Sequence, residues 1–386
     1  MFFIFKTTLL IMCFFSVASA SPIRFLTITD IHYGSENNSM DGQDTGTEFL
    51  TSTFNQLKKL SKNVDFILNL GDLPTHLLFD QSKKGSYEQT VFHGLYQADE
   101  GLKPIFYITG NNDSLAGNYQ PFQFEGKSPL NFATDWLGAC AFCKGLMIDD
   151  SHMQSGGYYS SYVIPGNKEI ILIALNTTPL GNRPILLPQY PNQASDAMEE
   201  LAWLEQQLKS HSAKQLLIAM HAPPGKTYKG GLFWQESTLK KFLDLLEKYH
   251  HLYNEIALLT AHTHMDELRK IHLEDGLNIY AYSTPAISRI HYNNPGIKIF
   301  SLDNDLAISN YQTYYTSHVN HWGDEQYQAL GSTDAIFPSC QKMKLADCLN
   351  SLSDQQVCDD LEGGQFYGAK SAFVPRGECK ITYPVN

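Results

Sequence analysis

The chain reads as a layered α/β protein with a two-sheet core, and three observations predict it. Short apolar runs of strand length alternate with stretches of helical periodicity from Ile23 to about Thr316. Residues able to ligate metal stand just beyond those runs. After residue 276 the pattern turns strand-rich, which a simple doubly wound sheet does not require.

The strands come first. Phe25–Thr29, Phe66–Leu70, Ile105–Ile108, Leu216–Ala219 and Ile256–Leu259 are continuous apolar runs of the kind that sheets bury on both faces. Tyr158–Val163 and Ile170–Leu175 flank Pro165-Gly166-Asn167 and predict a hairpin. Ile279–Tyr282 and Ile297–Phe300 supply the later strands. Leu201, Leu204 and Leu208 repeat at helical spacing, as do Leu239, Phe242, Leu243 and Leu246. No internal repeat is visible.

Length allows two or three domains of ordinary size or one large α/β domain with an appendage, and motif positions decide between them. Of 386 residues, 43% are hydrophobic and 18% charged, enough apolar mass for a sizeable core. Lys and Arg number 28 against 40 Asp and Glu, a net charge of −12, so a long nucleic acid is not an expected partner. Met1–Lys6, the apolar Thr7–Val17 and the small-x-small Ala18-Ser19-Ala20 read as a signal peptide over residues 1–20. The expected product is exported, secreted or periplasmic, with no transmembrane segment. Beyond Cys13, six cysteines remain: Cys140, Cys143, Cys340, Cys348, Cys358 and Cys379. In an oxidising compartment these predict disulfides. Cys140-x-x-Cys143 has no second CxxC or HxH partner nearby, which favours a disulfide over zinc there. The expected division is a catalytic domain over 21–316 and a small cysteine-bearing helical subdomain over 317–386.

The chemistry falls at the carboxyl ends of the strands. In order, these carry Asp30-Ile31-His32, Gly71-Asp72, Gly110-Asn111-Asn112-Asp113, His221 and His262-Thr263-His264. Open α/β sheets bind ligands at that rim. On an extended backbone, residues i and i+2 share a side, so Asp30 with His32 and His262 with His264 can each aim two donors into one cavity. Carboxylate, imidazole and amide oxygen suit Zn²⁺, Mn²⁺ or Fe²⁺, and a shared carboxylate holds two such ions about 3.5–4 Å apart. Each fragment alone is common. The ordered set is not.

This ordered set resembles the calcineurin-like metallophosphoesterases, and within them the acid sphingomyelinase-like phosphodiesterases. Gly71-Asp72-Leu73-Pro74-Thr75-His76 is similar to that branch's G-D-x-P-x-H loop and His221-Ala222-Pro223-Pro224-Gly225 to its H-x-P-P-G turn. The resemblance runs from about residue 24 to Tyr315. It implies a β-sandwich core flanked by helices, with the tail around Cys348 and Cys358 as a disulfide-linked helical subdomain. It also implies two divalent ions, usually zinc in exported members. Asp30, His32 and His264 would hold the first, Asn111, His221 and His262 the second, and Asp72 both. The implied reaction is hydrolysis of a small phosphate ester by metal-activated hydroxide, with His76 facing the leaving group.

Three departures accompany it. The usual G-N-H-[DE] is here Gly110-Asn111-Asn112-Asp113, and the Asn112 amide can donate a hydrogen bond but not act as a general acid. G-N-N-D is also similar to endopolyphosphatases of the same superfamily, which keeps phosphoanhydride cleavage open. Met220 and Ala261 stand where glycine is usual and would narrow the rim. The remaining alternative is a catalytically silent protein that binds metal or phosphate. A metallopeptidase lacks its H-E-x-x-H. Tyr311, Tyr314 and Tyr315 read as packing residues, and His250-His251 as a complement to a helix C-terminus.

Overall fold

The computed structural model describes residues 22–35, 42–76, 83–133, 145–227, 229–316, 328–332, 337 and 343–363. The expected signal peptide and Cys140, Cys143, Cys340 and Cys379 lie outside them, as does most of the 317–386 subdomain. Among the described residues, no helix is long and apolar enough to cross a membrane.

Two sheets face each other. In the first, β1 (Arg24–Ile28), β2 (Phe66–Asn69) and β3 (Ile105–Tyr107) run parallel. Antiparallel β11 (Gly296–Leu302), β12 (Ile308–Tyr315) and β13 (Gln328–Ser332) extend it, giving the order β13-β12-β11-β1-β2-β3. The parallel centre of the second sheet is β6 (Asn167–Leu175), β7 (Ala213–Met220), β8 (Tyr253–Thr260) and β10 (Asn278–Ser283). With β4 (Met147–Asp149), β5 (Tyr159–Ile164) and β9 (Leu268–His272) at its margins, its order is β4-β5-β6-β7-β8-β10-β9. The β5–β6 hairpin closes where expected, with Gly166 at φ 79° in the left-handed region its turn requires.

Strand alternation sorts the side chains into layers. Phe25, Phe66, Leu68 and Phe106 of the first sheet meet Leu172, Leu217, Leu259 and Tyr282 of the second in a common core. Phe25 stacks between Phe66 and Phe300, with ring centroids 4.9 and 4.8 Å away. The opposite face of the first sheet, with Leu26, Ile28 and Ile67, packs against α1 (Thr47–Leu60) and α2 (Lys84–Asp99). Neither helix is among the expected elements. Their buried residues, among them Phe49, Leu50, Leu57, Val91, Phe92 and Leu95, do recur at helical spacing. The outer face of the second sheet buries Leu201, Leu204 and Leu208 of the helix Gln193–Ser210 and Leu239, Phe242 and Leu246 of the helix Glu236–Tyr249. Burying each such side chain contributes about 1.5–3 kcal/mol.

The fold is therefore the expected mixed α/β sandwich flanked by helices. Of the tail, Leu345–Ser351 and Asp354–Gly363 form two helices that carry Cys348 and Cys358. Tyr311 is buried and packs 5.8 Å from Tyr282, consistent with a packing role.

Candidate metal centre

All seven proposed metal donors meet where the strand ends of the two sheets converge. Asp30 and His32 follow β1, Asp72 follows β2, Asn111 follows β3, His221 follows β7, and His262 and His264 follow β8. His32 Nε2 lies 3.5 Å from Asp30 Oδ1 and 3.6 Å from Asp72 Oδ2. His221 Nε2 lies 3.2 Å from Asp72 Oδ2 and 3.7 Å from Asp30 Oδ1, and His264 Nε2 is 3.4 Å from Asp30 Oδ1. Asp30, His32 and Asp72 form one group of potential ligand atoms within 4.8 Å of one another, and Asp72, His221 and His262 form another. Asp72 belongs to both.

The backbone reaches this arrangement differently from expectation. The D-x-H and H-x-H segments are not extended. Asp30, His32, Asp72, His262 and His264 have φ of 46°, 47°, 56°, 71° and 65°. Side-chain-bearing residues avoid this left-handed region, at a cost of roughly 1–2 kcal/mol each. With these left-handed residues, Asp30 and His32 bring ligand atoms within 4.8 Å of each other, and His262 and His264 line the same cleft. Five such residues at one rim mark strain held in place for function by the surrounding fold.

Asp113 supplies much of the hold. Its buried carboxylate accepts from the backbone N–H of Asp72 (2.9 Å), Leu73 (2.7 Å) and Gly110 (2.7 Å) and from the Tyr107 hydroxyl (2.7 Å). The Asp72 and Asn111 loops are thus tied to one anion. They also touch: a Cβ on Gly71 would collide with the Gly110 backbone, and one on Gly110 with the Asp72 carboxylate. The imidazoles are oriented as well. His32 Nδ1 donates to the Pro74 carbonyl at 3.1 Å and His221 Nδ1 to the Leu70 carbonyl at 2.7 Å, which leaves each Nε2 as the donor atom. Asn111 Nδ2 donates to Asn118 Oδ1 at 2.8 Å, freeing its own Oδ1.

The buried donor atoms call for a cation. Asp30 Oδ1, His32 Nε2, Asn111 Oδ1 and His221 Nε2 are all buried without a hydrogen-bond partner, a costly state that divalent ions would relieve. Burial by itself lowers the His32 pKa, but Asp30, Asp44 and Asp72 outweigh it and lift the imidazole to about 9. At His221, Asp72 and Asp30 likewise overcome burial and lift it to about 10. Burial would raise both carboxyls, yet the neighbouring histidines hold Asp30 and Asp72 below the usual range. His262 goes the other way, lowered to about 3 by burial and by His221.

His76 and Asn112 part company. His76 lines the cavity and stacks on His32, with ring centroids 3.7 Å apart. Its Nδ1 donates to Asp44 Oδ1 at 3.0 Å, leaving Nε2 as the atom available to the cavity. Asn112 is buried and uses its amide hydrogens on the carbonyls of Pro74 (2.7 Å) and Thr75 (3.2 Å), while its backbone N–H donates to Asp72 Oδ1. It braces the loop that carries His76. Met220 packs beneath the outer helices and Ala261 in the inter-sheet core, so neither narrows the rim.

Three residues escape the sequence reading. Asp44 also accepts from Thr75 Oγ1 (2.7 Å), the His76 N–H (2.8 Å) and Ser288 Oγ (2.9 Å). Its place after the first strand, at the ligand-binding rim, was the available signal. Tyr119 hydroxyl lies 3.3 Å from His262 Nε2, and the His291 ring meets His264 edge-on at 4.5 Å. No local pattern singles these two out. Asp72, Asn111, His262 and His264 line a cleft of about 280 Å³ together with His76, Thr227, Lys229, Phe233 and His291, while Asp30, His32 and His221 lie buried behind it. A roomier cavity of about 510 Å³ between α1 and α2 contains none of them.

Residues 23–266 match the family model described as calcineurin-like phosphoesterase. Sphingomyelin phosphodiesterase B of Dictyostelium discoideum is 22% identical over 280 residues, 67% of this chain and 40% of that protein. Sphingomyelin phosphodiesterase A of the same organism is 25% identical over 303 residues, 74% of this chain and 48% of that one. The chain thus spans less than half the length of these two relatives. Both fit the acid sphingomyelinase-like branch that the loop motifs resemble. A solved structure described as "Structure of PhoD" superposes with a TM-score of 0.50 at 12% identity, over 81% of this chain and 70% of that one, and supports the fold.

Proposed function

The chain belongs to the calcineurin-like phosphoesterase family, and on that premise we propose that it is a metal-dependent phosphoric ester hydrolase acting on phosphodiester or phosphoanhydride bonds. Its substrates are small phosphate esters: a nucleotide, a phosphocholine-type ester or a sphingomyelin-like head group. The observation that carries this reading is the ring of buried donor atoms left without hydrogen-bond partners.

Two divalent ions, zinc by choice with manganese or iron as alternatives, would polarise the phosphoryl oxygens and make water nucleophilic at neutral pH. Asp30, His32 and His264 would hold one, Asn111, His221 and His262 the other, and Asp72 would serve both. His76 presents Nε2 to the leaving oxygen and gives it a proton, with Asp44 fixing the tautomer and ring plane. Asn112 contributes by holding the loop in place. Export rests on the N-terminal pattern. A disulfide-linked tail rests on the cysteine pattern, with Cys348 and Cys358 on its two described helices.

The second reading is a silent metal- or phosphate-binding protein, favoured by the Asn112 amide being fully engaged with Pro74 and Thr75. Metal analysis combined with a phosphate-release screen over sphingomyelin, CDP-choline, nucleoside triphosphates and polyphosphate separates the two. Hydrolysis of at least one of these by metal-loaded protein is expected. A fully loaded chain that cleaves none would establish the silent protein.

A further inference from the structure

Ile185 and Leu186 are adjacent aliphatic residues with 95% and 96% of their surface exposed. Isolated exposed apolar residues are ordinary. Two neighbours, both almost wholly in water at the tip of a braced turn, are not. The turn is closed by the Leu187 N–H donating to the Pro184 carbonyl at 3.0 Å, and Arg183 Nη1 donates to the Leu187 carbonyl at 2.6 Å. The bonds support the tip from beneath without covering it.

Both ends of this loop are fastened to walls of the metal cleft. On one side the Asn182 N–H donates to the carbonyl of Phe233, a cleft-lining residue, at 2.7 Å. Asn182 Nδ2 adds bonds to the carbonyls of Leu232 (3.0 Å) and Trp234 (2.8 Å). On the other side Gln120 Nε2 donates to the Pro188 carbonyl at 3.0 Å, next to Tyr119, which contacts His262. The exposed tip therefore has a fixed station beside the cleft.

Charge points the same way. Segments 181–192 and 221–235, which the Asn182 bonds join, carry Arg183, Lys226 and Lys229 and no carboxylate, within a chain of net charge −12. Lys226 and Lys229 are exposed. We propose that Ile185 and Leu186 form a wedge that inserts into a phospholipid surface, with the three cations meeting head-group phosphates and the cleft facing the head-group layer. Two side chains fall far short of the roughly 800 Å² per partner that a specific protein interface buries. An interfacial wedge needs only a few methylenes and electrostatic attraction. The docking deepens the proposed hydrolase reading by naming the physical state of the substrate, although vesicle binding itself requires no turnover.

The test is flotation of the full chain with vesicles of phosphatidylcholine and roughly one-fifth phosphatidylserine. The double variant Ile185→Ser/Leu186→Ser should lose at least about tenfold in the vesicle-bound fraction. Its turnover of bis-p-nitrophenyl phosphate should be unchanged, because neither side chain touches the core or the cleft. Leu186→Trp should gain blue-shifted emission on vesicle addition, quenched by brominated lipid. A wild-type chain that does not float, a double variant that floats equally, or emission from the Leu186→Trp variant that is indifferent to lipid would each overturn the wedge. Flotation that depends on the wedge in a chain that hydrolyses no diester would retain the docking surface and reject the hydrolase.

Discussion

The two sheets contribute to the cleft in different ways. The first supplies both carboxylates, the Asn111 amide and one imidazole, from loops tied together by Asp113 and by the contact of Gly71 with Gly110. The second supplies three imidazoles, and its donors are positioned largely by the first. His221 is oriented by the Leu70 carbonyl, and the His262 N–H donates to Asp30 Oδ2 at 3.2 Å. Electrostatics shows the same dependence. His221, against both carboxylates, is lifted to about 10, while His262, one strand further on, falls to about 3. One sheet thus acts as the rigid anionic template and the other as the imidazole wall fitted to it.

The most severe way to break this asymmetry is at the shared carboxylate. Asp72→Asn should lower turnover of bis-p-nitrophenyl phosphate more than about 10³-fold and reduce bound metal in elemental analysis. Near-normal turnover with full metal content would end the dinuclear reading.

The template itself is tested at Asp113. Asp113→Ala strands three buried N–H groups and the Tyr107 hydroxyl, so stability by urea unfolding should drop by about 3 kcal/mol and metal should be lost with it. Removing the Tyr119 hydroxyl, which reaches from the loop after β3 to His262 of the second sheet, by Tyr119→Phe, should cost less than about 1 kcal/mol. Equal costs would mean that the Asp113 carboxylate is not what holds the template.

The proton donor sharpens the comparison next. His76→Ala should lower hydrolysis of an alkyl phosphodiester by about 10²-fold while leaving metal content unchanged. An ester with a p-nitrophenol leaving group, which needs little protonation, should lose far less. Asp44→Asn should show the same leaving-group pattern at about tenfold, and a uniform loss across both substrates would make His76 structural. Asn112→His disturbs the two bonds to Pro74 and Thr75 that brace the His76 loop, so it should lower hydrolysis of the alkyl diester more than that of the p-nitrophenyl ester.

The last effect is graded with pH. His32 and His221, held up to about 9 and about 10, are protonated near neutrality in the metal-free chain and must release those protons to bind metal. Affinity should therefore rise as pH increases toward 9 and fall on acidification, by up to about tenfold per pH unit for each displaced proton. Chelator competition between pH 6 and about 9 measures it. A flat profile would show that these imidazoles are not ligands.

Much of the site was legible in the sequence because its residue types are dictated by chemistry and its positions by topology. Apolar strand runs ending in Asp30, Asp72, Asn111, His221 and His262 place donors at one rim wherever the strands lie parallel. The helices α1 and α2 escape the pattern although their buried residues keep helical spacing, because polar and glycine residues such as Gly85 and Gly94 interrupt the stripe. Tyr119 lies beyond any local pattern, and Asp44 carries no signal beyond its place after the first strand. Asp44 reaches His76 across 32 residues and Tyr119 reaches His262 across 143. The exposure of Ile185 and Leu186 is likewise invisible in a sequence where aliphatic residues are expected to be buried.

By itself, the sequence determined which donor atoms this protein owns and the order in which parallel strands deliver them, since both follow from local hydrophobic pattern. Only the tertiary structure decided how those donors meet. The left-handed turns at Asp30, His32, Asp72, His262 and His264 are unfavourable in isolation and persist because two packed sheets and the buried Asp113 carboxylate hold them. The choice of His76, rather than Asn112, to face the cleft was decided the same way, by hydrogen bonds to groups far away in the chain.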